Sequence, residues 1–267
     1  MRNTTESANP ITIDVTTHGR LPGAADYARD KIGGLIRLSH RPVLHARVRL
    51  TEHSDPAVQR PVIAQANLDV NGRLVRAQVE GVDAHEAIDR LGARLRQRLE
   101  RTAEHWEARR GARPVGGPHE WRHQSAPSHR PGYFPRPVDE RRVVRHKSLA
   151  PRACSVDEAA YDMELLDYDF YLFTEAATGI ASVLYREEAG DYSLAQVVPP
   201  SKEQLAPFEL PVTLSDTSAP CITVEQAIER LGLLGLPFLF FIEAAEGRAC
   251  VLYHRYDGHY GLISPAD

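Results

Sequence analysis

An internal repeat constrains this chain more than any other feature. Residues 155–197 and 223–265 align without a gap at a constant offset of 68 positions, and 17 of the 43 aligned pairs are identical. Val156/Val224, Leu165/Leu233, Phe170/Phe238, Phe173/Phe241, Gly179/Gly247 and Tyr185/Tyr253 are among them. Identity at this level with no insertion marks two copies of one structural unit. Two like units in one chain can pack on each other as a built-in dimer.

Each copy reads as strand, helix and three strands. In the first copy these fall at about 142–149, 155–166, 168–175, 180–187 and 192–198; the second copy follows from about 211. Ser155 and Thr223 stand at the helix N-caps. The run from Phe238 to Ile242 is apolar on both faces, and a strand of that kind is covered on both sides. The simplest cover is the other copy, which makes Phe170, Leu172, Tyr185, Phe238, Phe240 and Tyr253 the expected repeat–repeat interface.

The net charge of −4 conceals two opposed halves. Residues 1–150 carry 26 Lys and Arg against 17 Asp and Glu, a net of +9, while residues 151–267 carry 6 against 19, a net of −13. A basic front joined to an acidic back points to a polyanion contact made by the front alone. No apolar run reaches membrane-spanning length and the N-terminus lacks a signal peptide's apolar stretch, so a soluble cytoplasmic protein with no membrane contact is expected. Cys154, Cys221 and Cys250 leave an odd thiol and form no CxxC pair, which favours reduced cysteines over a disulfide or a metal site.

In the front half, residues 11–17 alternate as a strand, and Pro22 opens a helix to about Ser39 with Ala24, Ala28, Ile32, Leu35 and Leu38 as its apolar stripe. From Val43 to Thr51, Leu44, Ala46, Val48 and Leu50 face one way, and His45, Arg47 and Arg49 the other. Residues 62–70 and 73–80 form a hairpin around Asn71-Gly72. Asp83 caps a last helix, with Glu86 at the capping-box position and Ala84, Ala87, Ile88, Leu91, Leu95 and Leu99 as its buried face. The order is β-α-β-β-β-α. On that helix Arg90, Arg94, Arg98, Arg101 and His105 recur at spacings of 4, 4, 3 and 4, expected as one row opposite the leucines. Only Glu100 and Glu104 stand near enough to pair within the helix, so a phosphate backbone would relieve the row's repulsion.

Residues 110–142 are rich in Pro, Gly, His, Ser and Arg and read as a flexible linker. His119, His123 and His129 there have no Cys or carboxylate partners at structural-site spacing, so solvated histidines are expected and no metal. The expected domains are 1–109, basic and RNA-binding; the linker 110–142; a first repeat 143–200; and a second repeat 208–267. The fold class is α+β: a β-α-β-β-β-α domain with two helices on one face of its sheet, then two small β-α-β-β-β domains packed as a pseudo-dimer. There is no P-loop, GxSxG, HExxH or Gly-rich dinucleotide turn, so neither catalysis nor a cofactor is expected.

The motifs DYARDKIGGLIR and AIDRLGARLRQRLER on the two front helices resemble the long-form ribosome hibernation promoting factors. So do the repeats, as SVDEAAYDMELLDYDFYLF…GIASVLYRE and TVEQAIERLGLLGLPFLFF…GRACVLYHRYDGHYGLI. The doubled C-terminal domain is similar to that of a mycobacterial branch of the family. The resemblance implies a front domain placed in the small ribosomal subunit near the decoding region, where it contacts rRNA and blocks messenger and transfer RNA. The family's helix cations fall on Lys31, Arg37, Arg94 and Arg101. Gly34 and Gln97 depart from its pattern, with Arg90 and Arg98 as neighbouring cations. The expected rRNA-binding set is therefore Arg20, Lys31, Arg37, Arg90, Arg94, Arg98, Arg101 and His105. In long family members one C-terminal domain pairs with its twin on another ribosome. Here pairing inside one chain has the higher effective concentration, which implies a monomer that shelters single ribosomes. Only the second copy keeps the closing DGxYGLI motif, and the acidic half suits a basic ribosomal protein. The competing reading is a regulator that binds another nucleic acid through its front and a protein through its repeats.

Overall fold

The computed structural model describes residues 11–37, 39, 41–54, 58–109, 136–150, 152–187 and 191–266, with the backbone alone over 103–109. The expected linker up to 135, with its three histidines, and the His105 side chain lie outside the described residues. The chain divides into two units, residues 1–123 with 165–167, and residues 124–164 with 168–267.

The first unit runs β1 (Ile13–His18), α1 (Ala24–Arg37), β2 (Val43–Glu52), β3 (Val62–Val70), β4 (Arg73–Gly81) and α2 (Ala84–Arg109). Its sheet has the order β1-β2-β3-β4, with β1 parallel to β2 and the other pairs antiparallel. The period of two along β2 and β3 buries Ala46, Val48, Leu50, Ala64, Ala66 and Leu68 on one face. The apolar stripes of α1 (Ala24, Ala28, Ile32) and α2 (Ala87, Ile88, Leu91, Leu95) are buried with them. The far face carries Arg47, Arg49, Gln65 and Asn67. Asn71 and Gly72 both have positive φ, 52° and 82°, as the tightest hairpin turn requires. Asp83 accepts from the Glu86 amide at 2.8 Å, and Glu86 reaches back to the amide of Val82 at 2.6 Å.

One strand assignment needs correction. Leu44 does not join Ala46 and Val48: a bulge between Val43 and His45 shifts the register, so Val43 is buried and Leu44 is 59% exposed. A bulge inserts an extra residue and turns the side chains before it to the opposite face.

The second unit holds β5 (Val143–Leu149), β6 (Ala153–Cys154), α3 (Val156–Leu165), β7 (Phe170–Glu175), β8 (Ala181–Arg186), β9 (Tyr192–Gln196), β10 (Val212–Leu214), β11 (Cys221–Ile222), α4 (Val224–Leu234), β12 (Phe238–Glu243), β13 (Arg248–His254) and β14 (Tyr260–Pro265). Its two five-stranded sheets have the orders β10-β9-β8-β7-β6 and β11-β12-β13-β14-β5. Capping boxes start both helices, Ser155 with Glu158 and Thr223 with Gln226.

The leading strands are exchanged. β5, which precedes the first copy in sequence, runs parallel to β14 of the second; β10, which precedes the second copy, runs parallel to β9 of the first. Val212 and Leu214 accordingly pack in the first core with Met163, Phe173 and Leu194, and Val143 packs in the second with Leu231, Phe241 and Tyr260. Geometry explains β5. Its successor β6 lies at the opposite edge of the first sheet from the slot beside β9, about 19 Å away at normal strand spacing. The chain from Leu149 to Ala153 spans at most about 14 Å.

The segment between the copies is part of the first core. Leu205 and Leu210 are buried there, and the amides of Glu209 and Leu210 both donate to Asp157 at 3.0 Å. The expected start of the second repeat at residue 208 therefore falls inside chain that packs on the first.

The copies also differ in one polar group. Arg186 and the Tyr192 hydroxyl both donate to Glu164. At the matching places stand His254, Tyr260 and Gly232, and the fully buried Tyr260 hydroxyl has no hydrogen-bond partner. A Cβ at Gly232 would meet nothing within 4 Å. Gly232→Glu is expected to raise stability by about 1 kcal/mol, since helix propensity and the new acceptor act in the same direction. Thermal denaturation should show a Tm higher by a few degrees; an unchanged or lower Tm would mean that the carboxylate does not reach Tyr260.

Candidate nucleic-acid interface

Both front helices pack on the same side of their sheet and carry most of the expected set of cations. Lys31 on α1 meets Asp89 on α2 at 2.6 Å, and the Tyr27 hydroxyl donates to the same carboxylate at 2.8 Å. The hydrogen bond to Asp89 raises the pKa values of both Tyr27 and Lys31, and those bonds lower that of Asp89. Tyr27 also lies against His85, ring centroids 4.7 Å apart. Arg37 ends α1 and Arg20 precedes it, both exposed.

The arginine row of α2 is not opposite the leucines. With 3.6 residues per turn, Arg90, Arg94, Arg98 and Arg101 lie roughly a quarter-turn round from the line of Leu91 and Leu95, and all four are half-buried. Nor is the row left without carboxylates. Arg90 pairs with Glu86 at 2.9 Å, a partner that the sequence reading assigned to capping alone. Asp167 belongs to this unit and is buried, and it receives Arg94 at 2.8 Å and Arg98 at 2.6 Å. Burial by itself would raise the Asp167 carboxyl; the Arg98 and Arg94 charges outweigh that and hold it below the ordinary carboxylate range. The solvent-facing line of α2 is instead Asp89, Ala93, Arg96, Gln97 and Glu100. Arg96 is thus an exposed cation that the sequence reading missed, because a 3-4 spacing finds a row but not its angle to the core.

In the second unit a third apolar cluster takes side chains from both sheets: Phe170, Leu172 and Val183 from one, Phe240, Ala249, Val251 and Ile263 from the other. Tyr185, Phe238 and Tyr253 pack at its rim. Phe170 stacks on Phe238 with centroids 4.8 Å apart, and Tyr185 meets Phe238 edge-on at 5.4 Å. All six residues named from the sequence lie in this cluster. Each strand divides its side chains: Leu239 and Phe241 go to the core under α4, and Phe238 and Phe240 to the shared cluster.

The model of the Sigma 54 modulation protein / S30EA ribosomal protein family matches residues 21–106. The model of that family's C terminus matches residues 138–194 and again 213–262. The chain belongs to the S30EA ribosomal protein family. It is 35% identical over 229 residues to a dormancy associated translation inhibitor of Mycobacterium tuberculosis, covering 82% of this chain and 76% of that protein. It is 29% identical over 174 residues to a ribosome hibernation promotion factor of Deinococcus radiodurans, covering 63% and 88%. A ribosome hibernation promotion factor of Mycobacterium tuberculosis is 28% identical over 200 residues, covering 69% and 87%. Ribosome hibernation, translation inhibition and dormancy are thus the themes of its relatives.

For this S30EA chain, the closing DGHYGLI motif has an internal role. Asp257 accepts from Arg255 and from the His259 amide, forming the turn at Gly258. A Cβ on Gly261 would come within 2.4 Å of the Tyr253 ring across the ladder, so only glycine fits beneath that tyrosine. Among the described residues no helix is long and apolar enough to cross a membrane, and no cluster of His, Cys, Asp or Glu is placed to hold a metal ion.

Proposed function

We propose that this chain is a ribosome hibernation factor whose basic front unit binds small-subunit rRNA near the decoding region in the cytoplasm. There it excludes messenger and transfer RNA and inhibits translation. The observation that carries the reading is the match of both family models across the chain, with the net positive charge confined to residues 1–150. Arg20, Lys31, Arg37, Arg90, Arg94, Arg98, Arg101 and His105 remain the proposed rRNA contacts. Lys31, Arg90, Arg94 and Arg98 must exchange internal carboxylates for phosphate; Arg37, exposed at the end of α1, and Arg101, at one of the positions of the family's helix cations, serve as the probes.

The two repeats pair within the chain, and the factor is a monomer that holds ribosomes single. The shared cluster around Phe170 and Phe238 and the exchanged strands support this: the sheet face through which a second copy would pair is already covered. The acidic back half meets a basic ribosomal protein.

Sedimentation of purified ribosomes with this protein through a low-salt gradient tests both parts. Protein in the single-ribosome fractions is expected; protein in ribosome dimers would end the internal-pairing reading, and protein left at the top would favour a non-ribosomal regulator. Arg37→Glu with Arg101→Glu should weaken binding by on the order of 100-fold and flatten its dependence on salt. Light scattering at micromolar concentration should give the mass of one chain.

A further inference from the structure

The helix cations of the front unit are largely engaged by carboxylates of the unit itself: Lys31 by Asp89, Arg29 by Asp26, Arg90 by Glu86, Arg94 and Arg98 by Asp167. The open face of the sheet is different. Arg47 and Arg49 on β2 are exposed, and among the described residues neither forms an ion pair or side-chain hydrogen bond. They are alternate residues of one strand, so both point to the same side, their Cα atoms roughly 6.6 Å apart. The ladder partners that share this face are Asn67 and Gln65 on β3 and Asp14 and Thr16 on β1. Asp14, the one carboxylate among them, pairs with His45 at 3.4 Å.

We infer that this face, centred on Arg47 and Arg49, is a second phosphate-binding surface that takes the backbone of an RNA strand. The inference rests on the ribosomal reading above and extends it to a face the helices do not cover. β2 is paired on both sides, so the arginine backbones are held rigidly and little order is lost on binding. Guanidinium groups take phosphate in a bidentate fork. Asn67, Gln65 and Thr16 add neutral groups of the kind that bond phosphate and sugar oxygens. None of these residues is aromatic, so bases are not stacked and the surface reads no sequence.

The test is Arg47→Glu with Arg49→Glu in the full chain, titrated onto purified small ribosomal subunits over a salt series. Both positions are exposed, and circular dichroism should be unchanged. The expected result is binding weaker by on the order of 100-fold, with the slope of log affinity against log salt reduced by between one and two. A fully charge-retaining pair, Arg47→Lys with Arg49→Lys, should keep the slope. If the Glu pair binds as the unaltered chain does while Arg37→Glu with Arg101→Glu does not, this surface is wrong and the ribosomal reading stands. Lost affinity with an unchanged slope would place a protein against these arginines and overturn the assignment to phosphate. If the unaltered chain fails to bind subunits, both readings fall.

Discussion

Val251→Asp should unfold both repeats together at a cost of 4 kcal/mol or more, on the order of the penalty for an unpaired buried charge. Val251 is fully buried in the cluster shared by the two sheets, among Phe170, Val183 and Phe240. No described cation lies in that cluster, and the new carboxylate must either stay ionised in an apolar site or take up a proton. Against the 5–15 kcal/mol that holds an ordinary domain together, a loss of this size shifts the population to unfolded under mild conditions. The spread of the damage is the informative part. The first sheet is completed by β10 and the second by β5, so neither core closes without chain that leads the other copy. Urea denaturation should therefore give one transition, at lower urea, and hydrogen exchange should accelerate at amides of β7 and β8 as well as β12 and β13. Protection retained in β7 and β8 would show two independent repeats and would contradict the coupling.

The arrangement of the two copies was only half legible in the sequence. The gapless offset of 68 revealed two copies, and the doubly apolar run Phe238–Ile242 required a cover on each face, which led to Phe170, Leu172, Tyr185, Phe238, Phe240 and Tyr253. Strand ownership was not legible. The two-residue strands β6 and β11 are too short to produce an alternation, yet β6 occupies the sheet edge that puts the slot beside β9 beyond the reach of β5. Periodicity assigns a segment to a strand; it says nothing about which of two equivalent sheets that strand joins. The front unit shows the same division. Alternation and Asn71-Gly72 located its strands, and only the bulge at Val43, which leaves no mark on composition, misplaced Leu44. The spacing of Arg90, Arg94, Arg98 and Arg101 located a row on α2, but Asp167, which neutralises two of them, lies 69 positions beyond Arg98. Long-range partners of that kind are invisible to local pattern.

Glu175→Ala should cost about 3 kcal/mol, whereas the same change at its repeat partner Glu243 should cost under about 1 kcal/mol. The two glutamates are an identical pair in the alignment, but their surroundings differ. Glu175 is fully buried, and its carboxylate accepts from the amides of Ala177 at 3.1 Å, Thr178 at 2.8 Å and Ala206 at 2.8 Å, and from the Thr178 hydroxyl at 2.9 Å. Removing it leaves three backbone donors without an acceptor and releases the connector at Ala206. Glu243 is half-buried and accepts from the Glu246 amide at 2.8 Å. Burial raises the Glu175 pKa, and the bonds from Thr178, Ala206 and Ala177 more than reverse this, so the folded carboxyl titrates below its ordinary value. A lowered folded pKa contributes stability that is complete above the unfolded value of about 4.3 and fades as pH falls through the folded one. The unaltered chain should therefore lose part of its margin over Glu175→Gln between about pH 5 and pH 3. Glu175→Gln keeps one acceptor oxygen but turns an amide NH2 toward the remaining donors, so the margin at pH 7 should still be substantial. Chemical denaturation of the two chains across that pH range measures the difference directly. A margin constant from pH 7 to pH 3 would show that ionised Glu175 is not what fastens the connector to the first repeat.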